Sequence, residues 1–377
     1  MASVNKVLVV GGGIGGLSAG VALHQAGMQV DVAELHPTFN VYGVGIIQPS
    51  NALRALDSLG LADACLAQGS PYGAVKMCTA TGHQFAEVGP PPMGRFQPHN
   101  GISRRILHTI LHDGAVAEGV NCRMGLSVAA IDNHPDGVNV TFTDDTTGHY
   151  DLVVGADGVN SKVRQLVFGH YRTRYVGQSV WRYALDRPAE LTTGFMFFGR
   201  HSKVGLIPMT KDRMYMFLLS AEGENPAIAP DELLPRFRAA LEEYPAPMVR
   251  AAAAQLTDPA AIVYRPLETL LVPAPWYKDR VVLIGDAAHA TIPQLGQGAS
   301  LAVEDAVVLA ELLRTGDPVP EVLEKYMARR YERCKLIVDT SNTISDLEKL
   351  EWQGQLPEGA NIGAVMGKAM GMMGAPI

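Results

Sequence analysis

The sequence predicts an α/β fold in which a nucleotide-type βαβ unit is interrupted by a strand-rich insertion and followed by C-terminal helices. Three observations carry this. An apolar strand opens onto glycines, a helical stretch and a second apolar strand within residues 6–34. Two later apolar strands, near 151–154 and 280–284, again run into glycine turns. Between them, residues 176–220 alternate and are rich in aromatics and methionine.

Lys6-Val7-Leu8-Val9-Val10 reads as the first strand. Leu17, Gly20, Val21 and His24 then recur at three- and four-residue steps, with Gly27 where a helix ends. Val30-Asp31-Val32-Ala33-Glu34 completes a parallel, buried pair. Residues 51–60 predict a short amphipathic helix with Asn51 as its cap and Gly60 as its stop. Residues 72–99 turn extended and contain the breaker run Pro90-Pro91-Pro92. Helical spacing returns from Ile102 to His112, strands follow at 138–142 and 151–154, a helix at 231–244, and a last strand and long helix over 280–313. The end, 361–377, is rich in Gly and Met. Gly363, Gly367 and Gly371 are spaced by four, but Lys368 and Pro376 favour a helix packed on the body, or a frayed tail, over association in lipid. No internal repeat is visible.

The 377 residues suggest two domains, or one large unit with an insertion, on a prior of roughly 150 residues per domain. Hydrophobic residues at 47% supply a core, and charged residues at 18% give no case for disorder. Thirty-one Lys plus Arg against 38 Asp plus Glu leave a net charge of −7, which excludes a basic nucleic-acid surface. Cys65, Cys78, Cys122 and Cys334 are widely spaced without a CxxC pair, so no metal knot or disulfide scaffold is expected and the cytosol is the default compartment. The amino terminus lacks a charged, apolar and cleavable sequence in succession, and no run approaches about 20 apolar residues.

Three motifs carry chemistry. In Gly11-Gly12-Gly13-Ile14-Gly15-Gly16, the residues Gly11, Gly13 and Gly16 fill a G-x-G-x-x-G pattern between strand and helix. They permit a tight turn, approach of a pyrophosphate and close helix–strand packing. Glu34 ends the second strand where an acid takes ribose hydroxyls. The second motif, Gly155-Ala156-Asp157-Gly158, enters a polar helix that Ser161 could cap; Asp157 is equally a turn former or a ligand contact. The third, Gly285-Asp286-Ala287-Ala288-His289 with Pro293 and Gly296-Gln297-Gly298, delivers Asp286 to a sheet edge. A loop with free backbone N–H groups follows, ahead of a helix on which Ala302, Ala306, Leu309 and Leu313 share a face. Asp286 alone could be an Asx turn, and His289 a satisfied helix-start histidine.

Together these motifs, in this order from Val7 to about Arg330, resemble the single-component FAD-dependent aromatic hydroxylases, the group A flavoprotein monooxygenases of the p-hydroxybenzoate, salicylate and urate hydroxylase type. The resemblance implies a Rossmann-like FAD-binding domain with an inserted β-sheet-rich substrate domain: 1–72, 100–175 and 265–345 for FAD, 73–99 and 176–264 for substrate, and 346–377 as a C-terminal helical segment or tail. It implies that Gly11, Gly13, Ile14, Gly15, Gly16 and Glu34 hold the ADP part of FAD. Asp286 would bind the ribityl or pyrophosphate region, and Arg104, with Arg105 as an alternative, the ribose and phosphates. Asp157 would serve FAD and the reduced nicotinamide. Gly296, Gln297 and Gly298, with Pro293, would lie beside the isoalloxazine ring. NADH or NADPH would act as a transient co-substrate, and O2 would react at flavin C4a to give a hydroperoxide that hydroxylates a phenol-like aromatic or N-heteroaromatic ring.

The substrate is expected near Trp181-Arg182-Tyr183, Phe195 to Phe198, Lys203 to Pro208 and Tyr215-Met216-Phe217. Lys203 stands where urate hydroxylases have an Arg and Tyr215 matches their Tyr, whereas Gln294 departs from their acidic residue. Lys203 could be a substrate-anion contact or a solvated turn cation, and Tyr215 a proton-handling hydroxyl or a strand core residue. Met209, Met214 and Met216 read as pocket lining or core, and His83, His99 and His201 as ordinary surface residues. No metal site is expected. The protein is expected to act as a cytoplasmic monomer or homodimer without a nucleic-acid partner. A halogenase is disfavoured because Trp181 is followed by Arg182 and Tyr183, not by a Trp-x-Trp-x-Ile-Pro signature. A dehydrogenase would leave the second and third motifs without a purpose. A reductase or non-hydroxylating flavoprotein of the same fold is the alternative.

Overall fold

The computed structural model describes residues 4–38, 44–90, 92–224 and 227–377; Met1 to Ser3 and Pro91 of the proline run lie outside the described residues. Its centre is a six-stranded sheet in the order Tyr277–Lys278, Val281–Leu283, Leu152–Gly155, Lys6–Val10, Gln29–Glu34, Asn121–Met124. Every pairing is parallel except the antiparallel Tyr277–Lys278 edge. The strands Lys6–Val10, Leu152–Gly155 and Val281–Leu283 therefore read as unbroken apolar runs, because both faces are covered. Helices Ile14–Gln25 and Gly298–Leu313 lie against each other so closely that a side chain on Gly15 would touch Ala302.

The chain leaves this sheet to form Gly45–Pro49, His99–Ser103 and Ser70–Tyr72, and again to form an antiparallel meander over Val128–His134, Gly137–Phe142 and Thr147–Tyr150. The largest excursion is a seven-stranded sheet in the order Val263–Thr269, Arg174–Asp186, Arg213–Ala221, Ser202–Pro208, Gly194–Phe198, Val75–Thr79, Gln84–Val88. Strand alternation gives it two unlike faces. Trp181, Tyr183, Met214, Met216, Leu218 and Phe197 pack beneath Phe237, Leu241 and Val249, on helices Pro230–Leu241 and Pro247–Ala254. Register places Arg182 opposite Phe217, Ala184 opposite Tyr215 and Lys203 opposite Leu219, all on the other face. That face turns toward the six-stranded body: Tyr215 lies beneath Gly45, whose added Cβ would fall 2.0 Å from its ring.

Two local expectations are corrected. Asn51 does not cap its helix: Ser50–Ser58 begins after Pro49, and the Asn51 side chain is buried inside the protein. Ile102 lies on the strand His99–Ser103, because pairing with Gly45–Pro49 overrides its helical spacing; the helix begins at Arg104 and reaches Glu118. The 34-residue helix Val319–Trp352 has no counterpart of that extent in the sequence reading. Helix Ile362–Met373 buries Ala369 and Met373, and the guanidinium of Arg333 donates to the Met373 carbonyl at 2.9 Å. Among the described residues, no helix is long and apolar enough to cross a membrane.

Candidate cofactor and substrate site

The glycine turn is built from the carboxyl end of the first strand. Gly11 adopts φ +107°, and a Cβ there would sit 2.5 Å from the Ala156 carbonyl oxygen. Gly16 is tighter still, with its Cβ position 1.8 Å from the Gly11 carbonyl oxygen. Gly13, in contrast, has nothing within 4 Å of the corresponding point. It precedes helix Ile14–Gln25, which has neither a side-chain cap nor an acid in its first turn. That helix start keeps its N–H donors for an anion. Glu34 folds back on the same turn, accepting from Gly12 N at 2.7 Å and from His36 N at 2.9 Å.

His108, on helix Arg104–Glu118, meets the Gly12 carbonyl at 2.8 Å, and burial lowers its pKa. The sequence reading missed it; its place on the buried side of an amphipathic helix is the only local signal.

Asp157 spends both carboxylate oxygens within its own turn, accepting from Ser161 Oγ at 2.5 Å, Lys162 N at 2.6 Å and Val163 N at 3.0 Å. That is the geometry of a turn former. Ser161 caps helix Lys162–Val167 by accepting from Arg164 N. The Arg164 guanidinium crosses to the third motif and donates to the Ala287 carbonyl at 2.8 Å. Gly285, at φ +57°, donates to Asp305, which also bonds His289 Nε2 at 2.6 Å and Arg330 Nε at 2.7 Å. Burial opposes the charge on Asp305, but His289 and Arg330 outweigh it and hold the carboxyl below its ordinary range. His289 is thus buried and satisfied at Nε2 but not at Nδ1, which is buried without a hydrogen-bond partner. Ligand atoms of His289, Asp305 and Cys334 lie within 4.8 Å of one another, but the Arg330 guanidinium already supplies the cation for this cluster.

The Gly285 turn presents Asp286 to the cleft. Its side chain is exposed there, and the protein crowded around its carboxyl pushes it up against the pull of His289 and Arg104. Arg104 opens its helix half-buried, within electrostatic reach of Asp286, Arg182 and Tyr215, whereas Arg105 points to solvent. Of the two arginines, Arg104 is the one placed beside Asp286. The Arg182 guanidinium donates no hydrogen bond to any described residue. Burial pushes it down to about 10, with Tyr215 opposing and Arg104 and Arg265 adding to the shift. Burial likewise raises the Tyr215 hydroxyl to about 12, against Arg182 and Arg104.

Pro293–Leu295 is a single 3-10 turn closed by Gly296 at φ +64°, and helix Gly298–Leu313 starts without a side-chain cap. Gln294 Nε2 donates to Gln178 Oε1 at 2.7 Å and lies 3.4 Å from Glu348 Oε2. Gln297 exchanges hydrogen bonds with Asn51, at 3.0 and 3.3 Å. Lys203 is not a solvated turn cation: it is 6% exposed within Ser202–Pro208 and ion-paired with Glu348. His99 is likewise no surface residue. It packs on Tyr72 at 5.1 Å between ring centres, and burial lowers it to about 4; His83 and His201 are exposed. Met214 and Met216 belong to the covered far face, while Met209 packs with Tyr72, Ile207 and Tyr215.

The open approach at Gly13, two uncapped helix starts and the exposed Asp286 beside Arg104 fit an extended dinucleotide laid across the carboxyl ends of the parallel strands. Fold and site define an FAD-dependent monooxygenase, with FAD as its cofactor. The chain belongs to the FAD binding domain family, whose model matches residues 5–341. It is 33% identical over 359 residues to the aurachin C monooxygenase/isomerase of Stigmatella aurantiaca, covering 92% of this chain and 90% of that one. It is 31% identical to the FAD-dependent urate hydroxylase of Klebsiella oxytoca, over 88% of each chain. Among solved structures, Klebsiella pneumoniae HpxO complexed with FAD and uric acid is similar with a TM-score of 0.84 and 27% identity, over 99% of this chain and 97% of that one.

Proposed function

We propose that this chain hydroxylates an aromatic or N-heteroaromatic, phenol-like small molecule, consuming O2 and taking NADH or NADPH as a transient co-substrate. The observation that carries this reading is the inward face of the seven-stranded sheet. There Arg182, Tyr215 and Phe217 stand together opposite the elements bearing Arg104 and Asp286. Bound FAD supplies the chemistry of accepting hydride and activating oxygen. The chain's residues bind, orient and exclude water. The helix start at Gly13–Gly16 takes the diphosphate, Glu34 the adenosine ribose, and Asp286 and Arg104 the ribityl and phosphate region. Asp157 shapes the adjoining turn.

The backbone N–H groups of Gln297 and Gly298, in the turn begun by Pro293, would stabilise negative charge on the bound ring system, whereas that of Gly296 is already donated to the Pro293 carbonyl at 3.0 Å. Arg182, which lacks an acceptor among the described residues, holds the ring hydroxyl oxygen of the substrate as it ionises. Tyr215, kept protonated by burial, orients that oxygen by donating to it. Lys203 is compensated by Glu348 and contributes no free cation to an anionic substrate.

In this reading 1–72, 100–175 and 265–345 hold the cofactor and 73–99 and 176–264 close the substrate side, except that strands Arg174–Asp186 and Val263–Thr269 lie wholly in the substrate-side sheet; 346–377 continues helix Val319–Trp352. The enzyme works in the cytoplasm as a monomer or homodimer. The deciding experiment screens phenolic and N-heteroaromatic compounds for stimulated NAD(P)H oxidation coupled to a mass gain of one oxygen atom. At least one ring compound is expected to give both. Stimulated oxidation without mass gain across the screen would instead indicate a reductase.

A further inference from the structure

Five polar side chains from four elements meet in one buried cluster. Lys203 comes from strand Ser202–Pro208, Gln178 from strand Arg174–Asp186, Gln294 from the turn Pro293–Leu295, and Ser345 and Glu348 from helix Val319–Trp352. None is more than 7% exposed. Glu348 accepts from Lys203 through one oxygen and from Gln178 Nε2 through the other, at 3.1 Å. Gln178 Oε1 in turn accepts from Gln294 Nε2 and Ser345 Oγ, each at 2.7 Å. Burying a charge pair costs several kcal/mol of desolvation, and apolar residues of equal volume often serve stability as well. Packing alone therefore does not account for the cluster.

The orientation of Gln294 is informative. Its Oε1 is buried and accepts no hydrogen bond. Turning the amide over would set that oxygen 2.7 Å from Gln178 Oε1 and 3.4 Å from Glu348 Oε2, both acceptors. The cluster thus pins Gln294 in one orientation even though an acceptor is left unfilled. Three residues on, Gln297 is gripped by Asn51. The backbone between the two amide clamps includes Gly296, in a left-handed conformation with nothing within 4 Å of its missing side chain. This short suspended segment leads into the uncapped start of helix Gly298–Leu313, beside the Asp286 turn.

We propose that Glu348 is a positioning residue for the cofactor: with Lys203 and Gln178 it holds Gln294, and through it the backbone N–H groups of Gln297 and Gly298 at the start of helix Gly298–Leu313, the Gly296 N–H being taken by the Pro293 carbonyl, while its charge offsets that of Lys203 at this loop. The inference rests on the FAD assignment and is independent of which organic substrate is hydroxylated. The test uses FAD-loaded enzyme and reads the cofactor without any organic substrate: the dissociation constant of the sulfite adduct of the flavin, and the flavin midpoint potential.

Glu348→Gln leaves Lys203 uncompensated beside the loop. Sulfite, which puts negative charge on the ring, should then bind about tenfold more tightly, and the potential should rise. Gln294→Leu keeps both charges but cuts the tether, so sulfite should bind more weakly and the potential should fall. Glu348→Asp should return both readings toward wild type. Should Glu348→Gln fail to fold, the double variant Lys203→Met/Glu348→Leu removes both charges and should behave as Gln294→Leu does. Sulfite affinities within about twofold of wild type, with unmoved potentials, in Gln294→Leu and in whichever Glu348 variant folds, overturn the proposal.

Discussion

Two glycines of one motif should fail in opposite ways when each is replaced by alanine. At Gly16 the new methyl would lie 1.8 Å from the Gly11 carbonyl oxygen and 3.0 Å from its carbon. Gly11 cannot retreat, since its own missing Cβ already points at the Ala156 carbonyl from 2.5 Å. Backbone must move on both sides, so Gly16→Ala should destabilise the FAD-free protein by about 2–3 kcal/mol. At Gly13 the backbone, with φ −77° and ψ −172°, suits any L residue, and nothing lies within 4 Å of the added carbon. Gly13→Ala should therefore change the stability of the FAD-free protein by no more than about 0.5 kcal/mol. The same methyl would occupy the closest approach of the diphosphate and should weaken FAD at least about tenfold, near 1.4 kcal/mol. Urea unfolding of the FAD-free variants and fluorescence titration with FAD separate the two quantities. If Gly13→Ala unfolds as readily as Gly16→Ala, or binds FAD like wild type, the assignment of packing to Gly16 and of ligand approach to Gly13 is wrong.

The protein crowded around the Asp286 carboxyl raises it, so the folded chain holds that proton more tightly than the unfolded chain does, and the resulting stability is lost as pH rises through the raised value. Asp286→Asn should remove that decline from unfolding curves of the FAD-free protein above the ordinary carboxylate range, while weakening FAD retention; an unchanged pH slope would contradict it. Asp305→Asn strips the charge that Arg330 and His289 share and should cost about 3–5 kcal/mol in urea unfolding, with a loss under about 1 kcal/mol counting against the network. Arg182→Met removes a guanidinium that has no acceptor among the described residues. FAD-free stability should hold or rise, while a ring substrate found by the screen should bind about tenfold more weakly, measured by perturbation of the flavin spectrum.

What could be read from the sequence is what local chain geometry encodes. Gly11 to Gly16 form their turn within six residues, and Glu34 returns to Gly12 because the next strand is parallel and adjacent. Ser161 caps the helix that follows it, as a Ser in that position would anywhere. Asn51 defeats the same logic. Its amide has better partners in Gln297 and Glu304, more than two hundred residues away, and those override a local preference for the cap. His108 and Arg330 were unreadable for the same reason, since their partners, Gly12 and Asp305, are set by helix packing.

The substrate side was legible as composition but not as orientation. Trp181, Arg182 and Tyr183 are adjacent in sequence, yet a strand sends Arg182 to one face and its two neighbours to the other, so the aromatic pair is core and the cation lies on the inward face. Which face is functional depends on what covers each. Helices 230–241 and 247–254 close one side, leaving the other for the cofactor body. Lys203 shares that inward face, and as an isolated residue it invites an anionic ligand. Its meaning changes because Glu348, 145 residues later on a helix with no motif of its own, already satisfies it. A buried cation is an anion site only while its charge is uncompensated, so the proposed substrate anion contact is Arg182 rather than Lys203.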